Sequence, residues 1–425
     1  MFDVIIVGGG AAGFYAAIQI AEKAPKLKIA IFERGKTVLS KVRVSGGGRC
    51  NVTHGEFLAN ELVTNYPRGQ KELLGPFHTY APGDVMSFFE ERGVPLKIEA
   101  DGRIFPQSDS SQSIIDCFLT EAERLGIKVL RNSSVKAIKK QEKGKGWQVT
   151  TMNKHYVAHK LLLTTGSNTK IWKILKEMGH TIVSPVPSLF TFNINDERIK
   201  GIQGISVQAE VEIPAKKVFS PDIKIKLKSV KSEAPALESE GPVLITHWGL
   251  SGPAILKLSA WGATILNSYD YRFKVNINWT PDYTTESMEN YLRKIKGVEA
   301  KKTVLRTKAV EIPRRLWTNL VAASGIERDL KWAEVTKEQL QNLAGQLTRC
   351  SFKVDGKSTF KEEFVTAGGV DLKEINFKTF ESKKFPDLYF AGEIINVDAI
   401  TGGFNFQNAW TGGYIAAQAI VKDLA

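Results

Sequence analysis

Cysteine is scarce in this sequence. Only Cys50, Cys117 and Cys350 occur in 425 residues, far apart and without a C-x-x-C pair. That excludes a disulfide framework, a zinc site and a dithiol redox centre, so any redox chemistry has to come from a bound cofactor. Long apolar runs are missing too, since no stretch reaches the ~18 apolar residues needed to span a bilayer. The apolar start, Phe2 to Ala21, has no Lys or Arg before it, carries Asp3 and is broken by three consecutive glycines. A signal peptide is built differently. A cytoplasmic protein with no membrane partner is expected. There is no low-complexity tract and no internal repeat, and 43% hydrophobic with 24% charged residues is a soluble globular composition. The length exceeds one compact domain, so two or three are expected.

Acidic residues are also in short supply, 45 against 58 Lys and Arg, for a net charge of +13. The cations concentrate around Lys136–Lys145, Lys216–Lys231 and Arg293–Lys308. In the middle segment Lys224, Lys226 and Lys228 alternate with Ile223, Ile225 and Leu227, as on a strand (Asp222–Val230) with one wet face. Such runs are read either as solvated surface or as attraction for phosphate-bearing partners, nucleic acid or an anionic substrate. No basic motif interleaved with aromatics singles out RNA.

The strongest pattern lies at the N-terminus. Residues 2–7 read as a buried strand, Ala11–Ala24 as a helix stopped by Pro25, and residues 28–33 as a second strand, which together make a parallel crossover unit. Between the first strand and the helix lies Gly8-Gly9-Gly10-Ala11-Ala12-Gly13, a G-x-G-x-x-G. Gly8 permits the tight turn, Gly10 lets backbone approach a pyrophosphate, and Gly13 lets the helix pack on the strand. The helix N-terminus offers N–H groups and partial positive charge to the phosphates. Glu33, at the end of the second strand, is placed to accept ribose hydroxyls. A dinucleotide site is expected.

Two further segments carry the same chemistry. Lys41-Val42-Arg43-Val44-Ser45-Gly46-Gly47-Gly48-Arg49-Cys50-Asn51, three glycines between polar and cationic residues, suits backbone lying against a flat or anionic ligand. There, Arg49 is read as binding an anionic substrate or a cofactor phosphate, and Cys50 as a small packing residue. Near the C-terminus, Tyr389–Glu393 ends a strand on Gly392, and Thr401-Gly402-Gly403-Phe404-Asn405 leads into a final helix from about Asn408 to Leu424. Asp398 is placed to receive a ribityl hydroxyl, and the helix N-terminus can face a flavin's pyrimidine edge. This second glycine turn favours FAD over a plain nicotinamide cofactor.

Between these ends, Ser113–Leu125 reads as a helix and Ile127–Arg131 as a strand. Val135–Lys140 and Trp147–Thr151 read as a hairpin around Gly144 and Gly146, and Leu161–Thr164 as a buried strand ending on Gly166. Pro185 and Pro187 mark a change to strand-rich sequence, including Ser206–Ile213. Amphipathic helices follow around Ser287–Ile295 and Lys337–Leu347. The expected fold class is α/β: a cofactor domain, split in sequence, holding an inserted β-rich and helical region. The boundaries are 1–187 (FAD-binding domain, first part), 188–282 (inserted β-rich domain), 283–350 (inserted helical segment) and 351–425 (FAD-binding domain, second part).

The combination of Ser45–Asn51, Gly102-Arg-Ile-Phe-Pro106, Thr246-His-Trp-Gly-Leu-Ser-Gly-Pro253, Thr366-Ala-Gly-Gly-Val-Asp371 and Gly392–Asn405 resembles the bacterial NAD(P)/FAD-dependent oxidoreductases. These belong to the two-dinucleotide-binding-domain flavoproteins, and one branch includes a bile-acid reductase. The resemblance runs from Phe2 to the C-terminus and implies a Rossmann-like FAD-binding domain, split in sequence, with inserted β-barrel-like and helical domains. It implies FAD contacts at Gly8, Gly10, Ala12, Gly13, Glu33, Arg34, Ser45, Gly46, Gly47, Val135, Gly166, Gly392, Glu393, Asp398, Gly403, Phe404 and Asn405. One departure stands out: a glycine- and serine-rich loop common after the equivalent of Gly166 is replaced here by Asn168-Thr-Lys-Ile-Trp-Lys173.

His247 is the candidate acid/base, set against the plainer role of a structural histidine. The flavin would be bound non-covalently, with no metal. Only one G-x-G-x-x-G is present, so either NAD(P)H binds transiently at the flavin face as electron donor or electrons come from elsewhere. The expected function is an oxidoreductase acting on a small organic substrate. The alternatives are a flavin-dependent RNA-modifying enzyme and a non-enzymatic flavin redox sensor.

Overall fold

The computed structural model describes residues 1–141, 146–152, 154–214, 237–358 and 365–424. The expected lysine-bearing strand at 222–230 and the turn residue Gly144 lie outside them. The chain divides into two compact units, Met1–Pro187 with Phe360–Ala425, and Ser188–Thr359.

The first unit is built on a parallel sheet. Leu388–Phe390, His155–Leu163, Phe2–Val7, Ile29–Phe32 and Lys128–Leu130 lie side by side in that order. Val4, Ile5 and Ile6 are fully buried because helices cover the sheet, which is why this strand is an unbroken apolar run. The hairpin Ala137–Lys140/Trp147–Thr150 extends the sheet by antiparallel pairing to His155–Leu163.

The helix Ala11–Lys23 connects the first two strands and is buried from Ala12 to Ala21. It is covered by the last helix, Phe404–Leu424, at a contact of small residues. A Cβ on Gly413 would come within 3.0 Å of the Ala12 carbonyl oxygen. Trp410 of the same helix is fully buried and donates its indole N–H to the Val52 carbonyl at 2.8 Å. Truncating it to Ala costs about 3–5 kcal/mol by the usual cavity cost.

Residues 53–106 add a layer that the sequence pattern did not reveal. It comprises a three-stranded sheet of Thr53–His54, Arg103–Pro106 and Leu96–Ile98, with helices Gln70–Thr79 and Pro82–Glu90.

The second unit holds a seven-stranded sheet. Its order is Cys350–Asp355, Arg272–Asn278, Ser206–Ile213, Leu237–Ile245, Gly249–Ser251, Thr191–Asn193 and Lys357–Ser358. Val207, Ala209, Val211 and Ile213 face its core, in the alternation expected of a sheet with one wet side. Helices Thr285–Val298, Arg314–Ala323 and Lys337–Thr348 share that core through Leu292, Leu320 and Leu343. The first and third start at capping boxes, Thr284 with Ser287 and Thr336 with Gln339. The strand-rich and helical stretches are therefore one body. Residues 351–358 belong to it rather than to the cofactor domain, because Cys350–Asp355 pairs along Arg272–Asn278.

A partly buried polar knot ties the two chain segments of the first unit. His180 Nδ1 lies 2.6 Å from Glu374, which also accepts from the Thr181 N–H and pairs with Lys384 at 2.7 Å. Burial opposes ionisation of Glu374, but Lys384, Thr181 and His180 prevail and hold its pKa down to about 2. Such a depressed carboxyl stabilises the fold above its ordinary pKa of about 4.5, and that contribution disappears as pH falls towards 2. Glu374→Gln should therefore unfold at lower denaturant than wild type at neutral pH, with the gap closing across that acid window. A gap independent of pH would rule out the ionic contribution.

Candidate cofactor site

Backbone crowding fixes the N-terminal turn. Gly8 has φ +120°, and a Cβ there would lie 2.4 Å from the Thr164 carbonyl oxygen. The Thr164 hydroxyl donates to the Gly8 carbonyl at 2.9 Å. A Cβ on Gly13 would meet that same Gly8 oxygen at 2.1 Å, so the helix lies as close to the strand as backbone permits. Gly10 differs: it has open space for at least 4 Å in the Cβ direction. It caps the helix with no side-chain acceptor, so the first-turn N–H groups are left for a ligand.

Glu33 is held at the crest of this turn by the N–H groups of Gly9 at 3.0 Å and Gly35 at 2.7 Å. Each carboxylate oxygen keeps a lone pair for a ribose hydroxyl. Arg34 is exposed beside it, and bonds from Asn132 to Gly35 and Ser133 to Glu33 lead the chain to buried Val135.

In the second motif, Gly46, Gly47 and Gly48 all have positive φ, at 58°, 68° and 87°. A Cβ at Gly46 would strike Asn51 and the Phe105 ring at 2.9 Å, whereas Gly47 and Gly48 face open space. The Ser45 hydroxyl donates to the Val42 carbonyl at 2.9 Å. Arg49 is not free for a phosphate or substrate: it stacks 3.9 Å from the Phe105 ring centre and pairs with Glu99 at 2.6 Å. Cys50 is fully buried, and burial pushes its thiol up to about 12, so it is a neutral packing group.

The third motif closes on the other two. A Cβ on Gly392 would touch that of Ala12 at 3.3 Å. Glu393 pairs with Lys41 at 2.5 Å and lies 3.5 Å from where a Gly166 Cβ would be. With its amide turned so that the oxygen meets the Gly403 N–H, Asn51 would accept from it at 2.9 Å and donate to the Thr53 carbonyl at 2.9 Å. Gly403 leaves no room for a side chain against Thr53, 2.5 Å away. Three loops far apart in sequence thus form one surface in the first unit. Its open points are Gly10, Gly47 and Gly48.

Several side chains have roles the sequence did not disclose. Asp398 is fully buried, and both its oxygens are held by the Arg68 guanidinium. Asn405 spends its amide on both backbone groups of Ala399, at 3.0 and 3.1 Å, which shapes the turn. The last helix starts at Phe404 rather than near Asn408, so Gly402 and Gly403 stand at its N-terminus. Phe404 stacks on His54 with centroids 4.5 Å apart, and burial holds that imidazole below the ordinary histidine pKa. Thr165 Oγ1 is buried with no partner among the described residues.

Nothing in the segments around Arg68 and His54 signals a site, because their partners are remote, whereas Lys41 opens the glycine-rich segment Lys41–Asn51. His247 belongs to the second unit. It is exposed with Trp248 at a hairpin tip closed by the Thr246 N–H to the Gly249 carbonyl at 2.8 Å.

The residues fit FAD. There is room for a pyrophosphate at Gly10, a carboxylate for the ribose, a flat glycine surface, and a buried hydroxyl lacking a partner. Two glycine substitutions should separate ligand space from packing space. Gly10→Val should fold but purify without flavin absorbance. Gly13→Ala should lose about 1–3 kcal/mol or more of stability from overpacking. Flavin-replete Gly10→Val protein would show that the pyrophosphate lies elsewhere.

Residues 2–419 match the family described as HI0933-like protein Rossmann domain. The chain is 28% identical to a protein of Haemophilus influenzae named ribosomal RNA dihydrouridine synthase, over 98% of both chains. It is 26% identical, again over 98% of both, to the 3-dehydro-bile acid delta(4,6)-reductase of Clostridium scindens. Among solved structures, a 3-ketosteroid-delta4-(5alpha)-dehydrogenase from Rhodococcus jostii superposes with TM-score 0.51 at 14% identity, covering 99% of this chain and 96% of that one. That likeness concerns the fold alone. Among the described residues no helix is long and apolar enough to cross a membrane. The chain belongs to the HI0933-like Rossmann-domain family, with the fold of the FAD-binding oxidoreductases.

Proposed function

We propose that this protein is an FAD-dependent reductase that saturates a carbon–carbon double bond conjugated to a carbonyl, and that its substrate is a uracil ring in RNA. The observation that carries the reading is similarity along the whole chain to relatives whose names share this chemistry. Dihydrouridine is uridine with its ring double bond saturated, and the bile-acid name describes double bonds conjugated to a ketone. The net charge of +13 favours a polyanionic substrate.

When bound and reduced by an external electron donor, FAD would supply the hydride. The chain's residues then have separable tasks. Gly10 and the uncapped first helix take the pyrophosphate, and Glu33 takes the ribose. The start of the last helix carries no acidic side chain in its first turn and stabilises negative charge on the ring. Cys50 is excluded as proton donor by its burial and its high pKa. His247, exposed on its hairpin in the second unit, is the proposed acid/base residue.

A small conjugated ketone as substrate is the second reading, favoured by the bile-acid relative. Protein reduced anaerobically with NADH or NADPH should be reoxidised by uridine-containing RNA, and dihydrouridine should appear in the digested RNA by mass. Reoxidation by a steroid enone but not by RNA would transfer the reading to small molecules. Reoxidation by neither would end it. His247→Asn should slow RNA reduction by about 10²-fold or more with flavin content unchanged.

A further inference from the structure

The geometry points to an RNA-backbone docking surface on the helical face of the second unit, formed by Lys294, Lys301, Arg306, Arg314 and Arg315. This inference rests on the RNA reading above and locates where the polyanion is held. Residues 293–315 contain nine Lys or Arg against two Glu, the densest basic stretch among the described residues. All five named side chains are exposed and carry no ion pair or side-chain hydrogen bond among the described residues. The local acids are already engaged, Glu299 with Lys302 at 2.7 Å and Glu311 with Lys308 at 2.5 Å.

The backbone that presents these cations is fixed. Trp332 donates its N–H to the Lys302 carbonyl at 3.0 Å and its indole N–H to Thr307 at 2.9 Å. Tyr291 donates its hydroxyl to the Ala309 carbonyl at 2.9 Å, and Val304, Val310 and Ile312 are anchored in the core. A solvated charge run explains Lys294 and Lys301 alone. It does not explain Arg314 and Arg315, which occupy the first turn of Arg314–Ala323, a helix with no side-chain cap and no acid in that turn. Cations there oppose the helix dipole and reduce stability. A row of phosphates removes that conflict and gains charge-assisted bonds to guanidinium forks.

The test uses full-length protein and a fluorescein-labelled, uridine-rich single-stranded RNA, with binding read by anisotropy from low to moderate salt. Arg314→Glu/Arg315→Glu should bind about tenfold or more weakly at low salt, and its log–log salt slope should fall by about 1.4 for two lost phosphate contacts. Lys200→Glu/Lys257→Glu makes the same change in net charge elsewhere on the unit and should bind within about threefold of wild type by the weaker, diffuse term. Arg314→Gln/Arg315→Gln should weaken binding while its unfolding temperature stays at or above that of wild type. Equal losses in the two charge-reversed proteins would overturn the docking surface but leave the RNA reading standing. Wild-type protein without salt-dependent RNA binding would remove both.

Discussion

The close approach of backbone at Gly8, Gly13 and Thr164 is the constraint on which the first unit depends. With a Gly13 Cβ only 2.1 Å from the Gly8 carbonyl, no other residue fits without moving the helix off the strand. That approach sets the helix axis and directs its uncapped N-terminus into the open space at Gly10. It also brings Ala12 within reach of Gly392 and Gly413, so the last helix can settle on the first. The ends of the chain meet because side chains there are too small to hold them apart.

Buried charge fixes what packing leaves free. Asp398 is fully buried, and leaving it without Arg68 would cost several kcal/mol. The pair therefore ties the helical layer after residue 53 to the C-terminal turn, across 330 residues of sequence. Lys160 does the same beneath the sheet, between Asp387 at 2.7 Å and Asp423 at 2.8 Å. These pairs contribute specificity of closure more than net stability, because desolvation offsets much of their attraction. Burial keeps Cys50 a thiol and holds the His54 imidazole below the ordinary histidine pKa. Redox work falls to the cofactor.

Much of this was legible in sequence where the signal is local. Phe2–Val7, the helix after Gly10 and the acid at Glu33 follow from apolar runs and glycine spacing. Ser206–Ile213 follows from strict alternation. What was not legible depended on partners. The alternation of Cys350, Phe352 and Val354 marks a strand but not its sheet, so the strand was assigned to the wrong unit. Arg49 looked free until Glu99 and Phe105 stood beside it, and Asp398 looked like a ligand until Arg68 did. The layer at 53–106 escaped notice because its strands are two to four residues long, too short for periodicity.

The claim at the centre is that glycine turns at opposite ends of the chain build one FAD cradle. Its most direct test is the difference density of a crystal of the purified, cofactor-bearing protein. The pyrophosphate is predicted at the first-helix N-terminus beside Gly10. The isoalloxazine is predicted between Gly47–Gly48 and the start of the last helix at Gly403–Phe404. An isoalloxazine lying away from Gly403, or a mononucleotide contacting only one of the two turns, would contradict it.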